Sequence, residues 1–262
     1  MEVWQLDKLL VHFEHEGAIA RMVLNDPKAN VLDHVMMSSL SEALSRFRGM
    51  PALKAIVLEG TGRHFSYGAS VAEHTFDKVP SMLKQFHGLF YKIRDLSIPM
   101  IAKVHGQCLG GGFELAMMCH FLFAESGASM GLPEITLGVF PPPASFILNL
   151  KIGVARAESL ILTGKPIDGK RAKAIGLVEE VYPDREALEN GIREFIAAQI
   201  LPKSASSLRY GVAAAREFFN HIMDIFLGKL ENIYIQGLMN THDANEGINA
   251  FLEKRKPEWK NR

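Results

Sequence analysis

The sequence predicts a mixed α/β fold built from successive similar units and followed by a helical tail. Two observations carry this. The order strand, turn, helix recurs before Ala124, and from about Glu186 onward the apolar spacing is almost wholly helical.

The first strands read as Leu9–Glu14 and Ala18–Leu24, separated by the turn-like Glu16-Gly17. Met36, Leu40, Ala43, Leu44 and Phe47 then share one helical face, which Gly49 and Pro51 end. Lys54–Glu59 reads as a buried strand before the Gly60-Thr61-Gly62 turn. In the second round Leu83, Phe86, Phe90 and Ile93 line a helix, and Pro99–Val104 reads as a strand. A glycine-rich turn, a short helix near Gly112–Cys119 and the strand His120–Ala124 follow. In the tail, Ile222, Ile225, Phe226, Leu230 and Ile233 form an apolar stripe. Such a surface needs cover, either from the chain's own core or from another subunit. The division expected is 1–200 for the core with the active site and 201–262 for the helical tail.

Composition narrows the function classes. The chain has 262 residues, 48% of them hydrophobic, enough for a sizeable core. Twenty-nine basic residues balance twenty-nine acidic ones, so no overall field favours nucleic acid or an anionic membrane. Cys108 and Cys119 lie in apolar surroundings without metal-ligand spacing, which suits a reducing compartment. Met1–Lys8 lacks the apolar stretch of a signal peptide. No apolar run reaches the roughly 18–20 residues that span a bilayer. A cytoplasmic protein without metal is expected, since the ten histidines show no HExxH or similar spacing.

Three segments carry chemistry: Phe65–Ser70, His105–Glu114 and Leu132–Ile135. In the second, three glycines between a strand and a helix leave bare N–H groups at a helix N-terminus, where an anion or developing oxyanion is stabilised. No Gly-Lys-Ser/Thr follows, and the GxGxxG spacing is absent, so nucleotide-binding loops are excluded. Glu114 stands in a helix apolar nearly all round, and Glu134 is flanked by Pro133 and Ile135. Carboxylates in such surroundings are costly without a partner or a task. Two of them can position a water, one as base and one as acid. Gly127–Gly131 matches the GxSxG pattern of serine hydrolases. A nucleophile elbow needs a helix directly after it, and Leu132-Pro133 with the Pro141-Pro142-Pro143 run predicts no long helix; Ser129 reads as a strand residue.

Taken together these segments resemble the crotonase (enoyl-CoA hydratase/isomerase) superfamily. Lys28-Ala29-Asn30 resembles its CoA-contacting loop. Phe65–Ser70 and Gly110–Glu114 resemble its two oxyanion segments, Pro133-Glu134 its second acidic motif, and Glu246-Gly247 with Phe251–Arg255 its C-terminal signature. The resemblance implies a spiral of ββα units, with C-terminal helices that build a trimer often stacked into a hexamer. It implies that the N–H groups of Ala69 and Gly111 hold the thioester oxygen. One such donor is worth roughly 2.7–4 kcal/mol as enolate charge develops. Glu114 and Glu134 match the hydratase pair, whose division into base and acid stays open. Lys28, Ala29, Val31, Tyr67, Ser70, Val71, Gly110, Pro133, Phe140, Pro141 and Lys254 are the implied contacts to CoA or acyl group, and no cofactor beyond the substrate's own coenzyme A is implied.

The chain departs from the family pattern at Tyr67 and Ser70, where a small residue and Asp are usual. Val139–Ser145 stands where a glycine-rich loop is usual. Prolines stiffen that wall, which suits a flat acyl group. The combination is similar to the family's hydratases of cyclic dienoyl-CoA esters in anaerobic benzoyl-CoA degradation. Hydration of a short linear enoyl-CoA, or double-bond isomerisation, is the alternative; an RNA-binding role is disfavoured by the neutral charge.

Overall fold

The computed structural model describes residues 3–26 and 28–262. Met1 and Glu2 of the N-terminal segment lie outside the described residues. The chain opens with strands β1 (Val3–Leu6), β2 (Leu9–Glu14) and β3 (Ile19–Leu24), then helix α1 (His34–Phe47). Asp33 caps that helix by accepting from the Met36 N–H at 2.9 Å. Strand β4 (Ala55–Gly60), helix α2 (Val79–Leu96), strands β5 (Met100–Val104) and β6 (Gln107–Leu109) and helix α3 (Gly111–Met118) follow. Next come β7 (Phe121–Glu125), β8 (Ser129–Gly131), α4 (Pro142–Ile152), α5 (Val154–Thr163), β9 (Ile167–Asp168), α6 (Gly169–Ala174), β10 (Glu180–Tyr182) and α7 (Arg185–Phe195). The tail holds α8 (Ala205–Asn232), a π-helical turn Ile233–Gly237 and α9 (His242–Leu252).

The main sheet runs β1-β2-β3-β4-β5-β7-β10, antiparallel over its first two pairings and parallel thereafter. The burial pattern follows from that. Strand β2 alternates buried with half-buried residues, whereas β4 and β5 are buried throughout because both faces are covered. On one face Ala20, Met22, Ile56, Leu58 and Ala102 meet the large core under α1 and α2. On the other, Ile19, Ala55, Val57, Ile101 and Phe123 meet Leu188 and Ile192 of α7. A smaller sheet, β6-β8-β9, sits beside α3.

The strands expected from the sequence form within a residue or so of their predicted ends, and the first three helices form where expected, with α1 and α2 extending beyond the predicted apolar faces. Strand β1 was not expected. Two further expectations need correcting. The proline run does not forbid a helix: it begins α4, with Pro141 at the N-cap and Pro142 and Pro143 in the first two helical positions. Proline fits there because the missing N–H has no partner inside the helix and its fixed φ suits the turn. Ser129 nevertheless lies in β8, as predicted, and the segment after it is a single 3-10 turn, Pro133–Leu137. The tail stripe is right only in part. Ile222 and Leu230 pack against the core, but the residues of α8 buried there are Phe219, Met223 and Leu227, continued by Tyr234, while Phe226 and Ile233 remain exposed.

Candidate active site

The site begins with two backbone segments laid side by side. Ser66 N–H donates to Gln107 O, and Leu109 N–H donates back to Ser66 O, so residues 65–70 run alongside β6. The buried Ser66 hydroxyl donates to Asn30 O at 2.7 Å and accepts from Gly68 N at 3.0 Å. Tyr67 N–H is held by Ala29 O. This pairing sets Ala69 against the start of α3: a Cβ placed on Gly111 would lie 3.2 Å from the Ala69 nitrogen. Neither the Ala69 N–H nor the Gly111 N–H has an acceptor among the described residues. Two glycines are required here. Gly68 has φ +98°, and a side chain on it would meet Leu109 O at 2.7 Å; Gly110 has φ +51°, and a side chain on it would meet Glu134 Oε1 at 2.8 Å.

The carboxylates come from both sides of this cradle. Glu114 lies in the first turn of α3, a helix buried along its whole length, and is itself 3% exposed. Its Oε1 accepts from Ala144 N at 2.8 Å. That bond follows from the prolines. Residues 141–143 have no N–H to offer, and Ser145 N–H already donates to Pro141 O, so Ala144 carries the unsatisfied donor of the first turn of α4. Glu134 stands in the 3-10 turn, with its Oε1 against Gly110 and its Oε2 buried without a partner among the described residues. Burial holds the Glu114 carboxyl well above its ordinary range and the charge of Glu134 pushes it further, against the pull of the Ala144 N–H. Burial raises Glu134 to about 7. Two carboxyls of one cavity, both held above the usual carboxylate range, suit one acid and one base.

Both glutamates open into one cavity of about 250 Å³. Of the residues predicted for the site, Tyr67, Ala69, Val71, Gly110, Gly111, Glu114, Pro133, Glu134, Phe140 and Pro141 line it. Lys28, Ala29, Val31, Ser70 and Lys254 do not. Ala29 acts through its carbonyl on Tyr67, and Ser70 through its carbonyl on His74 Nδ1 at 2.8 Å, a ring that does line the cavity. Burial lowers the pKa of His74 and favours the neutral ring. Lys28 and Lys254 are exposed outside the lining.

Sequence reasoning missed His74, Met82, Tyr234 and Ile248. Leu83 and Phe86 were legible as a helix face but not as a wall of the site. Tyr234 is the least expected: it reaches the cavity from the tail, with its ring centroid 5.3 Å from that of Phe140. Among the described residues no cluster of three or more His, Cys, Asp or Glu side chains is placed to hold a metal ion. No described helix is long and apolar enough to cross a membrane.

The model of the enoyl-CoA hydratase/isomerase family matches residues 14–262. The cyclohexa-1,5-dienecarbonyl-CoA hydratase of Thauera aromatica is 43% identical over 254 residues, covering 97% of each chain. A probable enoyl-CoA hydratase of Rhizobium meliloti is 40% identical over 95% of this chain and 97% of its own. In fold, an enoyl-CoA hydratase from Mycobacterium avium subsp. paratuberculosis superposes with a TM-score of 0.86 at 24% identity, over 98% of this chain and 100% of that one. With these matches spanning nearly its whole length, the chain belongs to the enoyl-CoA hydratase/isomerase family.

Proposed function

We propose that this chain adds water to a double bond conjugated with a coenzyme A thioester. The observation that carries the reading is the juxtaposition of two buried carboxyls with two uncommitted N–H groups in one cavity. The thioester oxygen accepts from Ala69 and Gly111. As the nucleophile adds, negative charge moves onto that oxygen, and fixed donors in a dry site stabilise it more than the ground state. One glutamate, ionised, takes a proton from water as the oxygen bonds to the β-carbon. The other, protonated, supplies the proton that ends on carbon. Holding water and alkene together removes much of the entropic barrier.

The finer reading is a cyclic dienoyl ester, cyclohexa-1,5-diene-1-carbonyl-CoA, hydrated to 6-hydroxycyclohex-1-ene-1-carbonyl-CoA within anaerobic benzoyl-CoA degradation. Hydroxyl goes to the carbon β to the thioester, the proton to the far end of the diene, and the remaining double bond forms between the two inner carbons. The Thauera relative supports this, as does the wall of Phe140, Pro141 and Tyr234. The exposed Lys28 and Lys254, with Ala29, Val31 and Ser70, are assigned to the CoA moiety, and no further cofactor is required. Exposed Phe218, Phe226 and Ile233 on and just beyond α8 support a trimer or hexamer, checked by sedimentation. The buried free thiols of Cys108 and Cys119 support a cytoplasmic setting.

A spectrophotometric panel of crotonyl-, longer enoyl- and cyclic dienoyl-CoA esters in heavy-oxygen water tests the reading. Fastest turnover of the cyclic ester, with label in the product, is expected. Turnover without label would make the chain an isomerase, and preference for crotonyl-CoA would leave the hydratase but remove the cyclic substrate.

A further inference from the structure

Tyr234 is 1% exposed, and its hydroxyl is buried with no hydrogen-bond partner among the described residues. A phenylalanine would fill the same space without leaving a polar atom unpaired, so the hydroxyl asks for an explanation. Its surroundings supply one. It lines the cavity that holds Glu114 and Glu134, and the π-helical turn Ile233–Gly237 in which it sits is a local departure from the helix that carries it there. Other polar side chains of the lining are occupied. Thr136 Oγ1 donates to Pro133 O at 2.7 Å, His74 is bonded to Ser70 O, and Glu114 Oε1 is bonded to Ala144 N. Of the buried polar side-chain atoms left without a partner among the described residues, those in the cavity lining are Glu134 Oε2 and the Tyr234 hydroxyl.

We propose that the Tyr234 hydroxyl is a third hydrogen-bonding contact, beside Glu114 and Glu134, for the oxygen that is added to the substrate. A water held for attack needs two to four polar partners, and this phenol supplies a donor where the glutamates supply acceptors. In the reverse direction it donates to the departing hydroxyl. It does not transfer its own proton: burial raises the phenol far above its ordinary range, and the charges of Glu134 and Glu114 add to that. The step therefore leaves Tyr234 unchanged, with bond making and proton transfer confined to water, substrate and the two carboxyls.

This inference rests on the hydratase reading, and its test separates the two. Tyr234→Phe is compared with wild type on whichever ester the wild type hydrates, with kcat, KM, the pH–rate profile and the melting temperature recorded. A kcat lowered about tenfold or more, with KM changed less than about twofold, is expected for loss of a hydrogen bond to the reacting oxygen. The melting temperature should stay or rise, since an unpaired buried hydroxyl is removed, and both limbs of the pH profile should remain. A kcat within about twofold of wild type overturns the proposal, as does a loss that comes with a lowered melting temperature, which a packing role would produce. Disappearance of a limb would make Tyr234 a proton-transfer group and overturn it as well. Failure of the wild type itself to incorporate label removes the hydratase reading, and this proposal with it, before the variant is measured.

Discussion

Charge is buried in two places in this molecule, on opposite terms. Between the sheet and α7, Arg21 donates to Glu14 at 2.8 Å, to Glu59 at 3.2 Å and to Glu189 at 2.7 Å, and Lys103 donates to Glu59 at 2.9 Å and also to Glu189. Every carboxylate there has a cation. In the cavity two carboxyls share a site whose lining holds no Lys or Arg among the described residues. The pKa values record the contrast. Burial alone would raise Glu189, yet Lys103 and Arg21 bring it to about 2, whereas burial, opposed by no cation and only by Glu134's own backbone N–H, lifts Glu134 to about 7. Paired charge ties the sheet to α7; on the proposed reading, the couple of acids without a cation is there to move protons.

Breaking each group should therefore damage a different property. The largest effect is expected in the cavity: Glu114→Gln and Glu134→Gln should each lower kcat by about 10²–10⁴-fold, with CoA-ester binding close to wild type, as steady-state kinetics and a binding titration will show. Wild-type turnover by either variant would remove that glutamate from the mechanism. Next comes the network: Lys103→Met strands Glu59 and Glu189 with fewer cations and should cost about 3–5 kcal/mol in chemical denaturation, while kcat per folded molecule is kept. The smallest effect sharpens the contrast through pH. Glu134 is raised from 4.5 to about 7 in the fold, so the folded state binds its proton more tightly than the unfolded chain. The stability it contributes is full below about pH 4.5 and is lost as pH rises toward about 7. Glu134→Gln should thus exceed wild type by about 1–3 kcal/mol at about pH 8 and show no advantage at about pH 4. Glu189 runs the other way: its contribution is present above about pH 4.5 and is lost as pH falls toward about 2, so Glu189→Gln should weaken the fold at neutrality. Equal pH dependence in the two variants would contradict the distinction.

How far the sequence reveals this site depends on chain separation. The glycines, Glu114 and Glu134 were legible because backbone and side chain act within short segments whose composition is costly unless used. Strand β4 was legible because a continuous apolar run bounded by turns has few other solutions. Tyr234 was not, because it is one ring in an apolar helical stripe, and the π-helical turn that presents it to the cavity leaves no mark in spacing. Helix α4 was missed for a different reason. Proline was read by its usual effect inside a helix, whereas Pro141, Pro142 and Pro143 occupy the places at a helix start where no intrahelical bond is lost. The bond from Ala144 to Glu114 spans thirty residues and no local pattern foretells it.

On the proposed function, that bond would tie acyl selectivity to acid–base chemistry. Replacing the prolines with residues that carry an N–H, the obvious route to a roomier enzyme, would add donors beside the one that Glu114 now accepts and give its carboxyl a choice of partners. Remodelling the wall would then retune the Glu114 carboxyl, so a change of substrate and a change of working pH should arrive together along any engineered or evolutionary path through this helix start.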